Sequence, residues 1–423
     1  MTSTPHADVV CLGESMVTFL PSRPGPLADV PSFARAIGGA ESNVACALAR
    51  AGHTTRWVSR VGADGFGDHL VAAVAGHGVD VSAVERDADR PTGIYFRTEG
   101  ERDAGLAGED PGAGPVAEVA YYRAGSAASA MSPDNTPVER ADTGRVLHLT
   151  GITAALSDGC LALLRTLTAP RPGRPLVSFD VNYRMGLWSC APEGGGPGVL
   201  LDLARGADVV FVGDDEAEAA WGVTGGPAAV RAALPEPAVL VVKQGSRGAT
   251  AFARRDAADG ADGADGADGA DGTGGADGAR EDQVVSVPAL RVDVVASVGA
   301  GDAFAAGFLS ATLRGLPLRE RLRHGHLTAA AALTVPGDLA APPARAHADR
   351  LAALDDEAWG TLRLGPGWTG EPDSEPGTGT GTGTGTDREP EPAQDPDGRA
   401  ANAPEAATQS AAQIAEAEKA NAT

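Results

Sequence analysis

The sequence predicts an α/β fold of three layers: a mostly parallel central sheet, helices on both of its faces, and a small β-strand lid. Two observations carry this. Short apolar runs alternate with helical patterns between residues 8 and 364, and strands that are apolar throughout belong to a parallel sheet covered on both sides. Two other runs, "TGIYFRT" and "VAYYRAGS", alternate apolar with polar residues and have no helical pattern between them. They read as antiparallel strands outside the main sheet, closing as a flap over its edge.

In chain order, the strands of the sheet are "DVVCLG", "RWVSRVG", "VLHLTG", "LVSFDVN", "ADVVFVG" and "VLVVKQG". Helical spacing of apolar residues falls between them at 42–51, 66–76, 160–168, 214–221 and 227–234. "GATAFAR" and "VVSVPAL" then read as a hairpin whose loop is lengthened by an Ala-Asp-Gly repeat over 256–281. That repeat has too little apolar surface to offset the entropy of ordering it, and a long loop adds little closure cost. "LRVDVVAS" is extended and leads into "AGDAFAAGFLSATL", where Phe304, Phe308 and Leu309 share a helical face. Residues 366–423, with "GTGTGTGTGT" and scattered Pro and Glu, read as a disordered acidic tail. The expected organisation is one domain over 1–365, with lid strands near 14–36 and 92–124, followed by that tail.

The net charge of −23 is concentrated: residues 256–281 carry −7 and residues 366–423 carry −8, leaving −8 for everything else. No basic stripe is present to neutralise phosphates, so nucleic acid is not an expected partner. No run of about 18 apolar residues could span a bilayer, so no membrane association is expected. The start, "MTSTPHADVVCLGES", has no basic segment followed by a long apolar one. The four cysteines are far apart and form no C-x-x-C pair, which excludes an obvious disulfide framework or zinc site. A cytoplasmic setting fits this chain.

The stretch "SVGAGDAFAAGF" decides the chemistry. The Rossmann pattern fails because Phe304 stands where its third glycine belongs, and a P-loop lysine is missing, since the chain has only Lys243 and Lys419. What remains is a helix start at which the amides of Gly299, Ala300 and Gly301 favour an anion. Asp302 in the first turn is badly placed to bind phosphate, but well placed to take a proton from a hydroxyl attacking it. That arrangement suits a kinase without a P-loop.

Three other clusters accompany it. "GGAESNVACALARAG" puts Asn43 at a helix start, where its amide caps the helix or grips a polyol hydroxyl. In "SFDVNYRMGLW", Asp180, Asn182 and Arg184 alternate at the end of an apolar strand, so they are expected to share one face. Arg184 suits a carboxylate or phosphate, or a structural salt bridge. "VVKQGSRGATAF" is a hairpin whose glycines, Gly245 and Gly248, would let a nucleotide lie against its backbone.

Together these motifs resemble the PfkB-type, ribokinase-like carbohydrate kinases. "GGAESNVACALARAG" is similar to that family's N-terminal signature and "VGAGDAFAAGF" to its C-terminal one. Within the family, "TGIYFRT", "YYRAGSAAS", "VLHLTGITAALS" and "DVNYRMGLW" resemble the 2-keto-3-deoxygluconate kinases. The resemblance implies ATP- and Mg²⁺-dependent phosphorylation of that sugar acid at its terminal hydroxyl. It implies Asp302 as general base and the amides of Gly299, Ala300 and Gly301 as anion hole. Gly39, Ala40, Asn43, Tyr95, Tyr121, Arg123, Arg184 and Asp338 would line the sugar-acid site. Lys243, Gly245, Ser246, Gly248, Ala249 and His326 would border the nucleotide, and Glu216 would help organise Mg²⁺ through water.

Tyr121 and Arg123, two apart, are expected to face the same way, and with Arg184 would offer two guanidinium groups to a carboxylate. The chain departs from the family pattern at three places. Ala296 stands where relatives carry an acid that helps hold a monovalent cation, so potassium activation is left open, with Asp293 as the nearest substitute. Gly213 replaces the asparagine of N-x-x-E, and His326 replaces an asparagine near the adenine. The alternatives are a kinase of the same fold acting on fructose, another sugar or a nucleoside, or a catalytically weakened sugar-binding regulator. The exposed aromatic flap points to pairing of subunits through the lid.

Overall fold

A computed structural model describes residues 7–23, 25–98, 119–189, 196–254 and 282–370, all of which fall within one compact unit spanning Met1–Pro372. The Ala-Asp-Gly repeat and the acidic tail beyond Gly370 lie outside the described residues.

The chain opens with β1 (Ala7–Leu12), leaves the sheet for β2 (Met16–Pro21) and β3 (Phe33–Gly38), and returns through α1 (Ala40–Arg50). Next come β4 (Thr55–Gly62), α2 (Gly65–Gly76) and β5 (Asp80–Asp87), then the second excursion, β6 (Ile94–Arg97) and β7 (Val119–Tyr122). The chain re-enters through α3 (Val138–Ala141), β8 (Gly144–Thr150), α4 (Gly151–Ala154), α5 (Asp158–Thr168) and β9 (Leu176–Asp180). It continues as α6 (Met185–Trp188), α7 (Gly198–Arg205), β10 (Val209–Gly213), α8 (Asp214–Trp221), α9 (Pro227–Ala233) and β11 (Val239–Lys243). After β12 (Ala249–Arg254), β13 (Asp282–Val287) and β14 (Arg291–Val292) come α10 (Ala300–Leu313) and α11 (Leu318–Leu333). The described chain closes with α12 (Arg345–Ala352), α13 (Asp356–Thr361) and β15 (Arg363–Leu364).

The main sheet has nine strands in the order β13-β12-β11-β10-β9-β8-β1-β4-β5. All neighbours are parallel except the two pairs made by β12. Side-chain alternation sends Val9, Phe211 and Val241 into one core, with α1, α2, α10 and α11. Val10, Val212 and Val242 go into the other, with α5, α7 and α9. This is the three-layer arrangement expected. The lid is a second sheet of four strands, β3-β2-β6-β7, in which β6 and β7 pair antiparallel as their alternation predicts.

Strand order reverses direction at β1, with β4 on one side and β8 on the other. In open α/β sheets such a reversal opens a crevice beyond the C-terminal strand ends, where ligands bind. Glu14 follows β1, Thr150 ends β8, Asp180 ends β9 and Lys243 ends β11, so polar groups converge on this edge. The helix that brings Asp302 here is fixed by aromatic packing: Phe211 of β10 meets Phe308 at 5.3 Å and Phe304 at 6.4 Å, both edge-to-face. Such pairs add about 0.5–1.5 kcal/mol each beyond the area they bury.

Candidate active site

The first turn of α10 is shaped by glycine. Gly299, its N-cap, has φ 75°, and a Cβ there would lie 2.4 Å from the Asp338 carbonyl oxygen. Only glycine satisfies both the left-handed backbone and that approach. No side chain caps this helix end, so the amides of the first turn keep their capacity to bind an anion. Gly301 is exposed, and a Cβ added to it would sit 3.6 Å from Lys243 Nζ. One ammonium and one helix start therefore face the same small space.

Asp302 stands in that turn, half-buried. Asn43 Nδ2 donates to its Oδ2 at 2.8 Å. Burial pushes the Asp302 carboxyl up to about 7, and the Asp180 charge adds to this, while the Asn43 bond, Arg184 and Lys243 pull the other way. Lys243 Nζ in turn donates to both oxygens of Asp180, at 3.0 and 3.1 Å. Burial alone would lower the lysine, yet the carboxylates of Asp180, Glu216 and Asp302 hold it above its ordinary value.

The rest of the site is arranged around these pairs. Arg184 Nη1 lies 3.8 Å from Glu216 Oε1, and Glu216 Oε2 accepts from the Gly213 N–H at 2.6 Å, closing the first turn of α8. On the lid side, Tyr95 donates its hydroxyl to Asp338 at 2.8 Å, and Arg97 lies 3.0 Å from the other oxygen of that carboxylate. Tyr121 packs its ring 5.4 Å from that of Tyr95, and the Arg123 guanidinium sits 5.8 Å from the Tyr121 ring. Tyr121 and Arg123 are thus neighbours, with Arg123 just past the end of β7. Gly39 is the N-cap of α1 and Ala40 its first residue. A Cβ on Gly39 would reach 2.5 Å from the Glu14 carbonyl oxygen, so glycine lets α1 begin against the β1–β2 turn.

Gly245 (φ 56°) and Gly248 (φ 123°) hold the turn between β11 and β12, with Ser246 exposed between them and Ala249 starting β12. A Cβ on Gly248 would fall 2.2 Å from the Val287 carbonyl oxygen, so the hairpin backbone lies directly against the end of β13. His326 is buried nearby and packs edge-on to Phe304 at 5.2 Å. Burial lowers it to about 4, so it is a neutral ring at ordinary pH.

Three expectations change. Asp180, Asn182 and Arg184 do not share a strand face: β9 ends at Asp180, and Asn182 turns the chain with φ 42°. Asp180 points into the lysine pair, and Arg184 meets α8 across a bend. Arg123 and Arg184 do not stand as two unpaired guanidiniums offered to a carboxylate. Arg123 forms a close ion pair with buried Glu14, which also accepts from Ser126 Oγ at 2.6 Å, and Arg184 faces Glu216. Asp293, the nearest substitute for the acid missing at Ala296, is already engaged by Nε and Nη2 of Arg363.

The sequence reading did not name Glu14, Glu41 or Arg97. Glu14 had a signal: an acid directly after the buried run "DVVCLG" is costly unless paired. Glu41, fully buried, accepts from Thr150 Oγ1 at 2.8 Å and Thr153 Oγ1 at 2.7 Å, pairs that only the fold creates. Among the described residues no group of three or more His, Cys, Asp or Glu could hold a metal ion, and no helix is long and apolar enough to cross a membrane.

An uncapped helix start and an acid held by an asparagine from another helix thus lie together beyond the strand ends. The chain belongs to the pfkB family of carbohydrate kinases, whose model matches residues 6–345, and it is a carbohydrate kinase. It is 32% identical over 342 residues to 2-dehydro-3-deoxygluconokinase of Bacillus subtilis (strain 168), covering 80% of this chain and 93% of that protein. It is 31% identical over 347 residues to the enzyme of the same name from Thermoproteus tenax, covering 81% and 93%. A crystal structure of a PfkB protein from Polaromonas sp. JS666 superposes with a TM-score of 0.63 at 32% identity, covering 81% of this chain and 99% of that one.

Proposed function

We propose that this carbohydrate kinase phosphorylates 2-keto-3-deoxygluconate at its terminal hydroxyl, giving 2-keto-3-deoxy-6-phosphogluconate, with Asp302 as general base. The observation that carries this reading is the Asn43–Asp302 hydrogen bond of 2.8 Å at the uncapped start of α10. It fixes one carboxylate oxygen and leaves the other to accept the proton of an attacking hydroxyl. A base near pH 7 is the efficient one at neutral pH, and Asp302 at about 7 meets that condition.

The residues present fit the phosphates of ATP, since the space at Gly301 is bounded by helix amides and the Lys243 ammonium, and Mg²⁺ would arrive on the nucleotide rather than in a protein ligand cluster. When bound, that complex supplies the phosphoryl group and offsets its charge. The amides of Gly299, Ala300 and Gly301 would hold the transferring group, with Gly245, Ser246, Gly248 and Ala249 along the nucleotide and His326 below it. Glu216 would reach the metal through water. Lys243, anchored by Asp180, supplies a fixed positive charge beside the anion hole.

The sugar acid would lie between the lid and the α1 start, against Gly39, Ala40, Tyr95, Tyr121 and Asp338. Its carboxylate would meet the guanidiniums of Arg123 and Arg184. The relatives named 2-dehydro-3-deoxygluconokinase support an acid substrate. Because each arginine already has an acid partner, the substrate carboxylate competes with Glu14 and Glu216. We read the exposed Tyr121 and Tyr122 on the outer lid strand as a surface for pairing of two subunits. Turnover of 2-keto-3-deoxygluconate measured against gluconate and fructose tests the substrate. Faster turnover of fructose would replace this reading by a fructokinase.

A further inference from the structure

The lid strand β6 carries two buried polar side chains, Tyr95 and Arg97. Two apart on a strand, they project to the same face. Phe96 between them points the other way and stacks on Phe19 at 4.7 Å, which fixes the strand. Both polar groups reach Asp338, a buried acid in the connection between α11 and α12. Tyr95 donates to its Oδ2 at 2.8 Å, and Arg97 Nη2 lies 3.0 Å from Oδ1. Among the described residues Oδ1 takes no hydrogen bond, so the Arg97 charge is what offsets it. Burial raises the Asp338 carboxyl, while Arg97 first and then the Tyr95 bond hold it down.

On its other sides Asp338 meets the two glycine turns of the site. A Cβ on Gly38, the last residue of β3, would collide with the Tyr95 hydroxyl and with Asp338 Oδ2. The Asp338 carbonyl oxygen in turn takes the space of a Cβ on Gly299. Asn43, Gly299 and Asp338 line one recess. A single residue therefore packs without slack between the turn that leads into α1 and the turn that starts α10. Those helices carry Asn43 and Asp302, whose bond joins them.

We propose that Arg97 is a positioning residue for phosphoryl transfer: it seats Asp338, ties the lid to the glycine turns before α1 and α10, and so keeps Asn43 and Asp302 in register. The inference rests on the Asn43–Asp302 pair of the proposed function and adds to it a residue that acts through Asp338. Without the guanidinium, Oδ1 is a buried carboxylate oxygen with neither a charge nor a hydrogen bond to offset it. Such a group turns away or takes up a proton. Either change disturbs the backbone that Gly299 packs against. A misplacement of about 1 Å costs on the order of 10²-fold in rate, and the loss falls on kcat because the alignment of the base is what suffers.

The test is steady-state kinetics of the full chain, on whichever of 2-keto-3-deoxygluconate and fructose the unaltered chain turns over faster. Arg97→Gln is expected to lower kcat about 10–100-fold, with KM for ATP and for the sugar changed far less. Arg97→Lys, which keeps the charge, recovers part of that loss. In the double variant Arg97→Gln, Asp338→Asn the loss is no greater than in Asp338→Asn alone, because the two residues act through one contact. That comparison leaves no unpaired buried carboxylate, so it carries the test even where Arg97→Gln does not fold. A normal kcat in Arg97→Gln, a loss confined to KM, no recovery with lysine, or a double variant well below Asp338→Asn overturns the proposal. Asp302→Asn is measured in the same series. Near-normal turnover there removes the base from the proposed function, whereas its loss beside a normal Arg97→Gln overturns the role of Arg97 alone.

Discussion

Asn43 and Asp302, 259 positions apart in the chain, are joined by a hydrogen bond of 2.8 Å between the first turns of α1 and α10. The two family signatures thus meet in one bond, and the carboxylate at its end is the group on which the proposed reaction turns.

Asp302→Asn removes the proton acceptor and keeps the shape. The expected outcome is a fall in kcat of about 10²–10⁴-fold, with unchanged circular dichroism and sugar-acid binding by calorimetry. A near-normal kcat would remove Asp302 from the role of base.

The rate should follow the ionisation of that carboxyl. It must be deprotonated to act, so kcat rises with pH through about 7 and levels off above. The Asn43 bond favours the ionised form, so Asn43→Ala should move the rise to higher pH as well as lowering the plateau. A pH–rate profile of both proteins checks the direction.

Arg184→Ala should raise KM for 2-keto-3-deoxygluconate by far more than for a neutral sugar, because only the former carries a carboxylate. Initial-rate kinetics on both substrates measure this. Equal effects would mean that Arg184 serves Glu216 alone.

Gly299→Ala forces a Cβ to within 2.4 Å of the Asp338 carbonyl at a left-handed φ of 75°. The expected cost is about 1–3 kcal/mol from the backbone alone, seen as a lower denaturation midpoint. Activity should fall with it, since α10 must shift to make room.

Glu41 carries a pH-dependent cost. Burial raises its carboxyl from 4.5 to about 7, against the bonds from Thr153 and Thr150. The folded state therefore holds this proton more tightly than the unfolded chain, and stability from this group falls as pH rises from about 4.5 to about 7. The loss is on the order of 3 kcal/mol at neutral pH. Glu41→Gln should flatten that part of the stability–pH curve, measured by urea unfolding at pH 5 and pH 7.5.

Much of the architecture was legible because its signals are local. Apolar runs such as "VLHLTG" and "ADVVFVG" mark buried strands, and they are β8 and β10. Phe304, Phe308 and Leu309 mark one helix face, and all three are buried. The first helix begins at Ala40, two residues before its periodicity does, because Gly39 supplies the turn. The short helices α3, α4 and α6 escaped the reading, and so did α7, α11, α12 and α13. In α11 the apolar face is largely alanine, whose burial depends on what packs against it. Asp180 and Asn182 looked like strand neighbours because alternation assumes that a strand continues, and a left-handed residue ends it.

The sequence by itself determined the three-layer class, the lid strands, the glycines of the α10 start and Asp302 beside them. Each of these rests on neighbours in the chain. Only the tertiary structure decided which charges meet: Asp180 with Lys243, Glu14 with Arg123, Glu216 with Arg184, Arg363 with Asp293. Ion pairing is set by distance in space, and the sheet order brings together strand ends that the chain keeps far apart.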